Sequence, residues 1–213
     1  MPYGLSLGHL VTAWNLGMGR GGLLNSLIVV SGGLALQISV SAFAAYALAS
    51  KRFRGATVVL LAILATMMMP EEVIGIPLFL VVGRMHLLDT YPGLILPIVG
   101  WVLPIYVLTG FMKQIPLELE EAARVGRCRR ATDLLPADHP AVIWDQYLLP
   151  LLIVHSPRMS TLTLVVTGLA ASQEQGEGVR LVAAVVLMVP SILIYLGLQR
   201  LFERGLLSGS LKG

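Results

Sequence analysis

The run from Leu23 to Ala49 contains no charged residue, and neither does Pro92 to Met112 or Leu181 to Gln199. About 20 helical residues cross the roughly 30 Å hydrocarbon core of a bilayer, so each run is long enough to span one. The composition agrees, because 13% of the residues are charged, whereas soluble globular chains carry about 25%. Too little polar material is present to cover a water-facing surface, and the chain reads as an all-α integral membrane protein. The same shortage excludes a disordered chain, and the single cysteine, Cys128, excludes a disulfide framework. The net charge of +3 does not point to nucleic acid, because the basic residues fall at the ends of apolar runs, beside membrane lipid.

A fourth run, 56–83, is long enough to span but carries Glu71 and Glu72 directly after Pro70. Proline removes a backbone donor and clashes with the preceding turn, so this run is expected as one kinked or broken span rather than two short helices. Ala141 to Val154 is too short to cross and holds Asp145 and Pro150, and Leu162 to Ala171 is shorter still. The expected architecture is a single transmembrane domain of about four full spans (23–49, 56–83, 92–112 and 181–199). A truncated fifth-span region and outer loop occupy 131–180.

Orientation follows from the basic residues, which are retained on the cytoplasmic side. Lys51, Arg52 and Arg54 form one cluster, Lys113, Arg124, Arg127, Arg129 and Arg130 a second, and Arg200, Arg204 and Lys212 a third. Only Arg20, Arg84, Arg158 and Arg180 remain for the other side. The segment 113–130 and the tail 200–213 are thus expected inside, and the N-terminal segment 1–22 and the loop 86–91 outside. The stretch between Arg130 and Arg180 must then return outward without a full-length span.

The segment 113–130 reads as a short cytoplasmic helix. Pro116 suits a first turn, where Glu118, Glu120 and Glu121 are favoured by the helix dipole. Leu119, Ala122, Ala123 and Gly126 fall at i, i+3, i+4, i+7 on one stripe. Three of the four are small, so another protein surface can approach the backbone closely. A surface helix on lipid headgroups is the competing reading, but so small a stripe buries little apolar area.

Glu121-Ala122-Ala123, the following glycine and Leu135-Pro136 resemble the EAA coupling loop of binding-protein-dependent ABC importer permeases. Asn25-Ser26-Leu27, Ala44 to Ala49, Ile76-Pro77-Leu78, Leu87 to Tyr91, Gly93 to Pro97, Ile115-Pro116 and the terminal Gly205 to Gly213 are similar to the maltose-type second permease subunit of the sugar-importing branch. The resemblance covers roughly residues 5–125 and 143–213. It implies an ABC importer permease-like helical bundle, working with a second permease subunit, cytoplasmic ATP-binding subunits and an extracytoplasmic sugar-binding protein in a bacterial-type inner membrane. It also implies that Leu119, Glu121, Ala122, Ala123 and Gly126 couple to the ATPase. The chain has no GxxxxGK[ST] phosphate loop, so ATP hydrolysis is expected in a separate subunit. No cofactor and no metal site are expected; the four histidines show no ligand spacing.

The family pattern breaks at Val125. Arginines, acids and prolines stand where an apolar fifth span belongs, and the resemblance returns at Trp144-Asp145-Gln146-Tyr147. The expectation is that about 125–143 is read out of frame or lies across a deletion, that the family's first span is absent, and that transport is impaired. A nonfunctional remnant or assembly-only membrane protein is a second reading. An intramembrane enzyme using Glu71 and Glu72 as an acid pair is a third, without a second convergent group to support it. Gln37, Pro70, Glu71 and Glu72 are candidates for lining a cavity. For the glutamates the competing reading is a wetted interfacial pair; for Gln37, in the four-step stripe Gly33, Gln37, Ser41, Ala45, Ala49, it is helix packing.

Overall fold

The computed structural model describes residues 7–49, 55–113, 139–172 and 176–210, with side chains except at 7, 20 and 198–210. The first expected span is one helix, α2 (Leu24–Ala49), which becomes a continuous membrane-length rod from Gly21. Ahead of it, α1 (Leu7–Ala13) leads into a wide-wound segment, Trp14–Leu23, broken at Gly17 and Gly19. Gly17 has φ 108°, a left-handed conformation that a side chain disfavours. This N-terminal stretch is packed: Ala13 and Met18 are buried in a cluster with Trp144, Leu162, Val166, Val179, Val182 and Ala183.

The run 56–83 is broken far more sharply than a kink. α3 (Ala56–Thr66) and α4 (Glu71–Arg84) meet at 99°, so the run expected as a kinked or broken span consists of two helices that together are long and apolar enough for one broken span or a re-entrant loop. Met67 to Met69 form the turn, and Pro70 stands as the extended residue before α4 (φ −59°, ψ 141°). α3 has no buried residue, whereas Gly75 of α4 lies against Leu152.

The run 92–112 is also bent, which the absence of charge did not reveal. α5 (Tyr91–Ile95) continues as a tight 3-10 turn, Leu96–Gly100, and α6 (Leu103–Lys113) leaves it at 47°. Trp101 is extended (φ −69°, ψ 124°), and Pro104 lacks the N–H that would continue the ladder to the Gly100 carbonyl. Along α2, Asn25 meets Tyr91, Gly33 meets Ile98 and Gln37 meets Trp101. The two elements therefore run in the same direction, as two spans separated by one return crossing must.

After the undescribed residues, α7 (His139–Trp144) begins beside Trp101, whose ring meets the His139 ring edge-on at 5.7 Å between centroids. The chain then climbs through α8 (Leu148–Ile153) to a connector, 154–161, and the short α9 (Leu162–Ala171). The connector reaches the end of the bundle that carries Asn25 and Asp89. Thus 139–153 occupies the bundle between the level of Trp101 and that end. α10 (Glu177–Ser210) runs back from there and is apolar and long enough to span over Glu177–Gly197. Asp145 Oδ1 accepts the Ser191 hydroxyl at 3.0 Å, tying the α7–α8 break to α10.

The second core cluster, Val29, Val82, Leu94, Ile98, Ile143, Leu149, Ile153 and Val154, joins α2, α4, α5, α7 and α8 at this end. Thr90 caps α5 by accepting the Gly93 N–H at 3.2 Å. A Cβ on Gly93 would run into the Leu87 carbonyl, which is backbone and cannot swing aside. Gly93→Ala is therefore expected to destabilise the protein by roughly 1–3 kcal/mol, the range for overpacking a filled site, read as a lowered midpoint of thermal unfolding in detergent. An unchanged midpoint would mean the turn 87–93 relaxes freely.

Candidate functional site

The coupling residues expected from the sequence, Leu119, Glu121, Ala122, Ala123 and Gly126, lie outside the described residues, as does all of 114–138. What the structure gives is their anchor. α6 ends at Lys113, directly before them, and packs along α2 more extensively than any other element does.

The remaining candidates do not converge. Gln37 is fully buried on α2, with Gly33, Ser41 and Ala45 of the same stripe also buried and Ala49 half-buried. Its Nε2 donates to Ser41 Oγ at 2.9 Å and to the Trp101 carbonyl at 3.0 Å. Pro70, Glu71 and Glu72 are exposed at the α3–α4 break, the glutamates in the first turn of α4, where the helix dipole favours carboxylates. Among the described residues no group of histidine, cysteine, aspartate and glutamate side chains is placed to hold a metal ion. A cleft between Ser26, Leu94, Trp144, Gln146 and Thr161 admits about one water molecule, too little for a sugar.

A polar network that sequence reasoning missed closes the opposite end of the bundle. Asn25 Nδ2 donates to the carbonyls of Arg158 at 2.8 Å and Ser160 at 2.9 Å, and its Oδ1 accepts the Tyr91 hydroxyl at 2.8 Å. Ser26 Oγ accepts the Leu162 N–H at 2.8 Å. Asp89, held at φ 54° in the connector after α4, accepts the N–H groups of His155 and Ser156 on Oδ1, each at 2.7 Å, and donates its own N–H to the Ile153 carbonyl at 3.2 Å. The connector 154–161 holds only a short 3-10 turn, Pro157–Met159, and these side chains satisfy backbone groups that the turn leaves unpaired. Asn25-Ser26 and Asp89-Thr90-Tyr91 were visible only as motifs; nothing in their spacing announced that both would grip one distant loop.

The two backbone donors, Ser156 first and His155 second, hold the Asp89 carboxyl below its ordinary pKa of 3.8, with a smaller contribution from the His155 charge and some opposition from desolvation. A carboxylate whose folded pKa is depressed stabilises the fold above its ordinary pKa, and that contribution disappears as pH falls through the lowered value. Exchange of the His155 and Ser156 amides is expected to accelerate in acid below pH 3.8. Asp89→Ala should show fast exchange at neutral pH already, by about tenfold or more, since bonds to a charged acceptor are among the stronger ones. Slow exchange in Asp89→Ala would show that the clamp does not hold the connector.

No family model matches the chain. Individual relatives do. It is 32% identical over 221 residues to the trehalose transport system permease protein SugB of Mycobacterium tuberculosis, an alignment covering 92% of this chain and 80% of SugB. It is 29% identical over 202 residues to the lactose transport system permease protein LacG of Rhizobium radiobacter, covering 88% of this chain and 74% of LacG. In shape it matches a chain from the crystal structure of a bacterial ABC transporter involved in the import of the acidic polysaccharide alginate, with a TM-score of 0.69 at 19% identity over 86% of this chain and 75% of that one. That likeness establishes the fold, a helical bundle of the ABC importer kind. With 32% identity carried over four-fifths of SugB, and on that fold, the chain belongs to the permease family of sugar-importing ABC transporters and is a membrane-embedded transporter subunit rather than an enzyme.

Proposed function

We propose that the chain forms, with a second permease subunit, the inner-membrane path of an ATP-driven importer for a sugar, supplied by an extracytoplasmic binding protein and driven by cytoplasmic ATP-binding subunits. The observation that carries this is the similarity to SugB and LacG across both the α2–α6 block and the C-terminal block. The basic clusters after Ala49 and from Lys113 onward favour their end of the bundle on the inside, and on this reading Asn25, Asp89 and Ser156 face outward. Leu119, Glu121, Ala122, Ala123 and Gly126 then follow α6 directly on the inner side, where a small-residue stripe suits close docking to the ATPase. Pro70, Glu71 and Glu72, at a break between α3 and α4, are candidates for the wall of the path. Gln37 is not, because its side chain is enclosed between α2 and Trp101.

The SugB alignment, at 221 residues, is longer than this 213-residue chain, so it sets residues of SugB against gaps here. We read such gaps as a shortened fifth crossing whose missing half is the one toward the cytoplasm, with impaired transport as its consequence. Uptake of labelled trehalose and lactose tests the proposal, in cells that express the companion genes with and without this chain. ATP-dependent accumulation of either sugar that needs the chain supports import. Equal accumulation without the chain, together with co-purification of no ATPase, would leave only the remnant reading.

A further inference from the structure

We propose that Gln37 is the positioning residue that fixes the bend of the third span, so that α6 moves as one body with α2 when force is applied beyond Lys113; the coupling half of this statement rests on the transport reading above. The break at Trp101 turns that residue's carbonyl off the helical ladder within an apolar run, where an unmet acceptor is costly. Gln37 Nε2 meets that carbonyl at 3.0 Å from the middle of α2. A carbonyl only accepts, so the amide is set with its nitrogen toward Trp101, and the opposite orientation would face oxygen to oxygen. The second Nε2 bond, to Ser41 Oγ at 2.9 Å, holds the amide on its own helix. Gln37 Oε1 is buried without a hydrogen-bond partner. All the polar engagement of this side chain therefore runs through the nitrogen that joins α2 to the bend.

The placement makes the bond a brace. On one side of the break, Gly32 and Gly33 let Ile95 and Ile98 lie against the α2 backbone. On the other side, α6 packs along α2, with Pro104, Leu108 and Thr109 of α6 buried. α2 thus touches both arms of the bent span, and Gln37 sits at the angle between them. With the brace in place the two arms keep their 47° relation, and displacement of the cytoplasmic end is passed to the outer end. Without it, the arms are joined by an extended residue and a proline, and displacement is absorbed at Trp101.

The test uses the full chain with Cys128→Ser, reconstituted in lipid nanodiscs, with spin labels on cysteines introduced at the exposed positions Leu96 and Phe111, one on each arm. The starting protein should give one narrow distance distribution. Gln37→Met keeps the volume and removes both bonds, and it should broaden or shift that distribution. Gln37→Asn, too short to reach the Trp101 carbonyl, should do the same and serves if the methionine variant fails to accumulate. Ser41→Ala, which spares the bond to Trp101, should match the starting protein. In the assembled importer, ATP hydrolysed per labelled trehalose or lactose imported should rise severalfold for Gln37→Met at unchanged subunit content, a readout that a simple loss of folding would not produce. An unchanged distance distribution in the methionine or asparagine variant overturns the brace. The distance arm needs no ATPase, so a chain that binds none would sink the transport reading while the brace is still judged on its own.

Discussion

Replacing Ala123 by tryptophan is expected to abolish co-purification of the permease with its ATPase, while Arg124→Ala, one position off the stripe, leaves it intact. The argument is geometric. Leu119, Ala122, Ala123 and Gly126 recur at helical spacing, and three of them carry no side chain larger than a methyl group. A partner packed against such a face meets it at close range, and an indole placed there must be overpacked or expelled. Overpacking costs roughly 1–3 kcal/mol, which lowers affinity about ten- to hundredfold. Retained association in Ala123→Trp, in a chain that still reaches the membrane, would remove the docking role from this stripe. Ala123→Gly is the complementary variant and should associate normally, because the smaller residue keeps the close approach.

Replacement of 127–138 by a designed uncharged apolar helical segment long enough to complete a span is expected to raise sugar uptake at least about tenfold. Each arginine or aspartate at the centre of a span costs about 2.5–3.5 kcal/mol on insertion into lipid. The native stretch holds Arg127, Arg129, Arg130, Asp133 and Asp138. His139 already lies at the level of Trp101, well inside the bundle, and Lys113 lies at the end of α6. The intervening residues must join those two levels, and as they stand they are poorly suited to lipid. A chimera that assembles with its ATPase yet transports no better than the natural chain would contradict the idea of a shortened crossing.

The long uncharged runs announced α2 and α10 because a membrane-length apolar helix needs nothing beyond its own composition. Pro70 likewise announced a break, although the 99° turn there depends on Met67 to Met69 leaving the helix, which composition does not express. The bend at Trp101 was missed because no charge marks it; Gly100 and Pro104 were the available signal. The clamp of Asn25, Ser26, Asp89 and Tyr91 on 154–162 was illegible for a different reason. It joins residues more than sixty positions apart, and its acceptors and donors on the connector are backbone groups, which every residue type supplies. The place of 139–153 in the bundle was masked by its length: short elements become credible only when a neighbour, here Trp101 and α2, shows at what depth they begin.

Single-cysteine labelling with a membrane-impermeant maleimide, in a Cys128→Ser background, tests the central claim most directly. With Ala123→Cys in one protein and Ser156→Cys in another, intact spheroplasts should label position 156 at once and position 123 only after lysis. That pattern requires the chain to cross between the coupling segment and the clamped connector, with the small-residue stripe inside. Labelling of both positions in intact spheroplasts, or of position 123 alone, would contradict it.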